Sequence, residues 1–282
     1  MLWHTKYTTS LQSPARFYTE KEISVICLTL IINFPPHHFV ISNQQMATIM
    51  LPIYLLLMML QFSCIASVLL PNIQITKHNQ GAINKMLLKI ETLPINHDYP
   101  GASCNDDGAN CPKSFLRLNE SIVIGRGLDD FQRASRIMLS FGMVDGMSWA
   151  NIVTLTGVKK ADLAVGSSLG TLIKCYNSVW TLNPCRISHL SRTGNASPIS
   201  KRHGFKRVDQ IAYSTVVGHL ISGEERFRVV LTENDEVIFD IYSFTKGAGG
   251  LGKLVMPFIR PIQRSFFRDV TLTMRELMET TM

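Results

Sequence analysis

The chain has 282 residues, 46% of them hydrophobic and 17% charged, with a formal net charge of +7. From about Glu91 onward it is long enough to bury roughly 70% of its unfolded surface, so a core needs no staples. The excess charge does not mark a nucleic-acid binder. Six cations and two acids fall in residues 1–90, and Arg192, Lys201, Arg202, Lys206 and Arg207 form one basic loop with no acid between them; no aromatic platform or reading helix accompanies them, so no nucleic-acid partner is expected.

Residues 1–48 show no sustained period, and the apolar run at 25–32 is too short to span a bilayer, so this part reads as a poorly ordered extension. Residues 49–70 differ: 22 positions without a charge, about 33 Å as a helix against a hydrocarbon core of about 30 Å. They read as a transmembrane or signal-anchor segment, with a cleaved signal and a buried core helix as the competing readings. Lys77, Lys85 and Lys89 follow the run closely, while residues 23–48 hold no cation. A single-pass membrane protein with its domain on the cytosolic or stromal side is therefore expected.

Residues 71–114, dense in Pro, Asn, Asp and Gly from 94 to 112, read as a linker leading into a domain at 115–282. Within that domain, residues 121–124 suit a short strand. Asp129 and Asp130 suit a helix start, followed by Phe131, Ser135, Met138 and Leu139 at helical spacing, with Gly142 ending the helix.

From 150 to 244 the period changes to two. Short runs at 152–155, 169–176, 185–190, 211–217, 226–231 and 237–244, separated by turn residues, predict an antiparallel sheet. Glu233-Asn234-Asp235-Glu236 marks its clearest hairpin. At the C-terminus Leu254, Phe258, Ile262, Phe266, Val270, Met274 and Met278 recur every four residues, with Arg260, Arg264 and Arg268 on another side. Pro257 and Pro261 predict a helix beginning near Phe258, with Pro261 in its first turn. The Gly247-Ala248-Gly249-Gly250 stretch lacks the pattern of a nucleotide cradle. These elements predict an α+β domain, a curved antiparallel sheet wrapped on a long C-terminal helix with room for a cavity between them.

Several segments resemble the family known as domain of unknown function 1990, or uncharacterised protein family 0548. They are Val123-Ile124-Gly125-Arg126-Gly127 with Phe131-Gln132-Arg133-Ala134; Leu182-Asn183-Pro184-Cys185-Arg186-Ile187; Gly218-His219 with Gly223-Glu224-Glu225-Arg226-Phe227; and Pro257-Phe258-Ile259-Arg260-Pro261-Ile262-Gln263. The resemblance spans about 115–274 and implies a START-like helix-grip fold, without implying a reaction. Gln210-Ile211-Ala212-Tyr213-Ser214-Thr215-Val216 departs from the glycine-bearing form usual in that family, and Phe141 stands where a Trp is common.

The candidate ligand-binding residues are Arg186, Tyr213, His219, Glu224 and Arg226. Glu224 and Glu225 are adjacent, so on a strand they point to opposite faces and cannot act as a paired acid and base; Glu224 and Arg226 share a face. The bland reading is a surface ion pair. The functional one is a polar cluster at a cavity mouth with Arg186 and His219, which as an enzyme site requires all four to converge on one pocket. No serine or cysteine stands in a nucleophile setting, and Cys175 and Cys185 read as small buried hydrophobes. No C-x-x-C pair is present, so neither metal nor cofactor is expected; Cys104 and Cys111 flank a loop and could pair in an oxidising compartment. The expected partner is a hydrophobic small molecule or lipid, with the arginine stripe and basic loop available to anionic headgroups at a membrane. A scaffold or interaction domain, showing an exposed apolar patch and no pocket, is the third reading.

Overall fold

The computed structural model describes residues 73–280 apart from 75, 106–111, 176–178 and 193–196. In chain order the elements are β1 (Ile73–Gln74), α1 (Gln80–Ile90), a 3-10 turn (Ala102–Cys104), β2 (Leu116–Arg126), α2 (Gly127–Leu139), α3 (Gly142–Asp145), β3 (Ala150–Val153) and a second 3-10 turn (Lys160–Asp162). There follow β4 (Ser168–Cys175), β5 (Val179–Ser191), α4 (Pro198–Arg202), β6 (Phe205–Thr215), β7 (Ile221–Thr232), β8 (Glu236–Gly247) and α5 (Gly249–Glu279).

Alternation along the strands decides the layers, because successive side chains leave a strand on opposite faces. Ile211 and Tyr213 of β6, Phe227, Val229 and Leu231 of β7, and Val237, Phe239 and Ile241 of β8 share one face. There they join Phe131 and Met138 of α2 and Phe266, Phe267, Val270, Met274 and Met278 of α5 in the main core. The strand order is β2-β8-β7-β6-β5-β4-β3, antiparallel throughout, and β1 pairs with β5. This curled antiparallel sheet gripping a long C-terminal helix is a helix-grip fold.

The opposite face is covered by residues that the sequence suggests are linker. Asn79 caps α1, its side chain accepting from Ala82 N at 2.8 Å. Ile83, Leu87 and Ile90, at helical spacing, pack on Leu172, Trp180 and Leu182 of the sheet and on Val216 just past β6. Further along, Ala102 and Phe115 pack on Phe244. α1 together with Ala102 and Phe115 thus forms an outer layer on the sheet.

Two expectations about helices change. Gly142 opens α3, and the turn after α2 is made by Phe141, which holds φ 56° while its side chain is fully buried against Phe227. α5 begins at Gly249, nine residues before Phe258, and contains both prolines. They are tolerated because both lie on its exposed side, where water takes the carbonyls that lose an N–H partner. The four-residue spacing also overstates the stripe. Steps of four advance 400° on a helix of 3.6 residues per turn, so the stripe drifts about 40° each time. Phe266, Val270, Met274 and Met278 are buried, but Leu254 and Phe258 are 62% and 48% exposed.

Among the described residues no helix is long and apolar enough to cross a membrane. α5, at 31 residues, has the length but carries Lys253, Arg260, Arg264, Arg268, Asp269 and further charges. The expectation of a single-pass membrane protein is corrected on this finding; residues 49–70, which carried it, lie outside the described residues. The basic groups are partly engaged within the protein: Arg192 donates to the carbonyls of Ala161 and Leu163, Lys206 pairs with Asp235, Arg260 donates to the Arg117 carbonyl, and Arg268 pairs with Asp269.

Candidate functional site: a cavity between sheet and helix

Along the inner face the chemistry changes partway down each strand. In β7, Phe227, Val229 and Leu231 give way to Glu225 and Gly223; in β8, Val237, Phe239 and Ile241 give way to Ser243 and Thr245. In β6, Ile211 is followed by Tyr213 and Thr215, and in β4, Leu169 by Thr171, Ile173 and Cys175. β5 runs from Thr181 and Asn183 through Cys185 to Ile187. Where the side chains are large and apolar, the C-terminal half of α5 packs directly on them. Where more polar and mostly shorter side chains replace them, a cavity of about 310 Å3 remains between the sheet and the N-terminal half of α5. Its helix wall is Leu251, Val255, Phe258, Ile259, Ile262, Gln263 and Phe266.

Packing of α5 onto the sheet at this end depends on glycines. A Cβ on Gly252 would stand 2.2 Å from the Leu220 carbonyl oxygen, and one on Gly247 would meet Gly252 C at 2.4 Å. Gly247-Ala248-Gly249-Gly250 therefore belongs to a close contact between the β8–α5 junction and the β6–β7 turn, where Ala248 N donates to the Leu220 carbonyl at 2.9 Å.

The polar groups of the cavity are few. Tyr213 Oη donates to Glu225 Oε1, which leaves Oε2 as the carboxyl oxygen available to a ligand. Burial pushes the Glu225 carboxyl up to about 7, with the Tyr213 hydrogen bond a smaller opposing effect. Glu225 keeps some accessible surface despite this desolvation, because what it keeps lines the cavity. Burial and the neighbouring Glu225 charge together raise the Tyr213 phenol well above its ordinary 10.

His219 also lines the cavity, and burial lowers it to about 4, so it is neutral. Its Nδ1 accepts from Ile221 N at 3.0 Å, and a neutral imidazole accepting there carries its proton on Nε2. Asn183 is turned to its own sheet, donating to the Thr171 carbonyl and Thr181 Oγ1. Cys185 lines the cavity with a thiol that burial raises far from reactivity. Among the described residues no three His, Cys, Asp or Glu side chains form a metal-binding group.

The five residues singled out in the sequence divide between the two faces. Tyr213 and His219 line the cavity. Glu224, 1% exposed, turns its carboxylate to the outer face. It accepts from Gly101 N at 2.5 Å, Ser103 N at 2.9 Å, Ser103 Oγ and Ser188 Oγ at 2.6 Å each, and Ser214 Oγ at 2.8 Å. Arg226 donates to the Ser103 carbonyl at 2.6 Å, pairs with Asp240 and lies 5.3 Å from the Tyr242 ring. Arg186 donates to the carbonyls of Ile90 and Glu91 at the C-terminus of α1, at 2.8 Å each. Glu224, Arg226, Arg186 and His219 therefore do not converge on one pocket. Three of them anchor the outer layer.

The acid whose carboxyl reaches the cavity is Glu225, which is not among the candidates expected from the sequence. A signal was present: Glu225 shares its parity with Phe227, Val229 and Leu231, the apolar positions of its strand, whereas Glu224 shares its parity with Arg226 and Arg228. Cys104 sits beside the anchor, its thiol pushed up to about 12 by burial; Cys111, its suggested partner, lies outside the described residues.

The sequence profile described as "Domain of unknown function (DUF1990)" matches residues 98–272, more than half of the chain. The chain belongs to the DUF1990 family. It is also 26% identical over 204 residues to the UPF0548 protein At2g17695 of Arabidopsis thaliana, covering 68% of this chain and 89% of that protein. Among solved structures it is similar to the hypothetical protein jhp0584 of Helicobacter pylori (8% identity, 65% of this chain and 97% of the other, TM-score 0.42). It is also similar to the ginseng major latex-like protein 151 of Panax ginseng (13% identity, 57% and 96%, TM-score 0.33). The fold assignment rests on the strand order and the helix placement. Three of the segments by which the chain resembles DUF1990 proteins meet at the cavity: Asn183 and Cys185 from β5, His219 and Glu225 from β7 and its preceding turn, and Ile259, Ile262 and Gln263 from α5.

Proposed function

We propose that this DUF1990 domain binds a hydrophobic or amphipathic small molecule in the cavity between its sheet and α5. The observation that carries the reading is the cavity of about 310 Å3, walled largely by apolar side chains with a small number of polar groups. This is the composition of small-molecule sites, at the small end of their usual range of about 300–1,000 Å3. Phe258, both a cavity wall and 48% exposed, marks the side from which a ligand enters.

Nile red, a neutral dye whose emission brightens in apolar surroundings, tests the proposal on the purified full chain. Saturable binding is expected, and Ile259→Trp, which fills the cavity from α5, is expected to weaken it at least tenfold while the thermal transition persists. Equal binding by the parent and the folded variant, or no binding by the parent, overturns it. Native mass spectrometry of protein purified from its source then reports the mass of any resident molecule.

A further inference from the structure

The cavity is asymmetric in charge. Among the described residues, none of its lining side chains is Lys or Arg, while it contains the carboxyl of Glu225. Glu224 contributes to the wall, but its carboxylate is taken by five hydrogen bonds on the outer face. Glu225 stands opposite Tyr213 of β6 and Ser243 of β8 in the sheet, and Cys185 on β5, Gln263 on α5 and His219 in the β6–β7 turn line the same cavity. None of these is a cation, since the histidine is neutral at its Nδ1 hydrogen bond.

We infer that the ligand of this cavity carries an uncharged polar head of the alcohol type, both hydrogen-bond donor and acceptor, seated on Oε2 of Glu225, and that the cavity excludes carboxylates. The inference rests on the binding function proposed above. With Tyr213 donating to Oε1, a protonated Glu225 holds its hydrogen on Oε2 and donates to the ligand oxygen. An ionised Glu225 accepts from the ligand hydroxyl instead. A hydroxyl satisfies both states. A carboxylate brought into this space meets no counter-ion and, once Glu225 ionises, a like charge; both disfavour it. The raised Glu225 carboxyl agrees with this geometry, since burial is its main cause and no neighbouring cation opposes it.

The test holds the tail constant and varies the head: 1-octanol, octanoate and octylamine, each displacing Nile red from the full chain near pH 8. Octanol is expected to bind at least tenfold more tightly than octanoate. In Glu225→Gln, which keeps the shape and loses the charge, that gap is expected to narrow. Because the parent protein alone gives the ranking, the inference stays falsifiable if the variant does not fold. Octanoate binding as well as octanol overturns it, and so does octylamine binding tenfold better than octanol, which would make the cavity a cation site. If none of the three displaces a dye that does bind, the head-group inference fails and the cavity reading stands; if the dye itself does not bind, both fail.

Discussion

Glu224 and Arg226, two residues apart on one face of β7, hold opposite ends of the same residue: Glu224 accepts the Ser103 N–H and Arg226 donates to the Ser103 carbonyl. The contact crosses more than 120 residues of chain and fastens the outer layer to the middle of the sheet. A buried carboxylate is tolerable only when its lone pairs are filled, and here five donors fill them.

Replacing Glu224 by Ala leaves the Gly101 and Ser103 amides and three hydroxyls without their acceptor. A loss of about 3–5 kcal/mol is expected, read as a fall in urea midpoint at unchanged slope. Hydrogen exchange at the Gly101 and Ser103 amides should speed up more than exchange in β7. Uniform acceleration would mean that the outer layer is not separately anchored by this residue.

Glu225 and His219 act on stability with opposite signs. The Glu225 carboxyl rises from 4.5 to about 7 on folding, so between these values the native state holds a proton the unfolded state has released. Stability therefore falls as pH rises through that window, and the deficit above it is about 3 kcal/mol. His219 falls from 6.5 to about 4, so its contribution is full above 6.5 and is lost as pH drops toward 4. The two slopes largely cancel between about 4.5 and 6.5. Urea melts of Glu225→Gln against the parent separate them: the variant's advantage should grow from near zero at about pH 4.5 to about 3 kcal/mol near pH 8. A difference that does not vary with pH would contradict the assignment.

Helix propensity and packing make opposite predictions at Gly252. Alanine in a helix is favoured over glycine by about 1 kcal/mol, but here its Cβ would stand 2.2 Å from the Leu220 carbonyl oxygen. Gly252→Ala is expected to destabilise by about 2 kcal/mol or more, because the obstacle is backbone. A rise in melting temperature would show that this end of α5 is free to move.

Pro261 lies in the thirteenth position of α5, on the exposed side. Alanine there restores a backbone hydrogen bond, offset in part by a more flexible unfolded chain. Pro261→Ala is expected to stabilise by about 2 kcal/mol, measured as a higher melting temperature. Destabilisation would show that the proline shape is needed for the path of α5 over the cavity.

The sheet was legible because its signal is local. Alternating runs bounded by turn residues mark the strands, and the hairpin at 233–236 closes with Asp235 N donating to the Thr232 carbonyl as its turn residues suggest. Strand ends were less legible: β5 begins at Val179, six residues before the run that marked it, and β7 begins at Ile221 through the Ser222-Gly223-Glu224 stretch that lacks apolar alternation. Pairing with neighbours carries these segments into the sheet. α5 starts earlier than its prolines suggest because a proline penalty assumes a carbonyl with no alternative partner, and on an exposed side water is that partner.

The sequence by itself determined that Glu224 and Glu225 face apart, that the 150–244 region forms an antiparallel sheet and that the C-terminal end of α5 packs on it. These follow from the periods of strand and helix, which any window of a few residues displays. Only the tertiary structure decided which glutamate meets the cavity and which meets the outer layer. That depends on what covers each face, and the covers, α5 on one side and residues 80–105 on the other, come from distant parts of the chain. A period of two states that two faces exist; the partner arriving on each gives it a role.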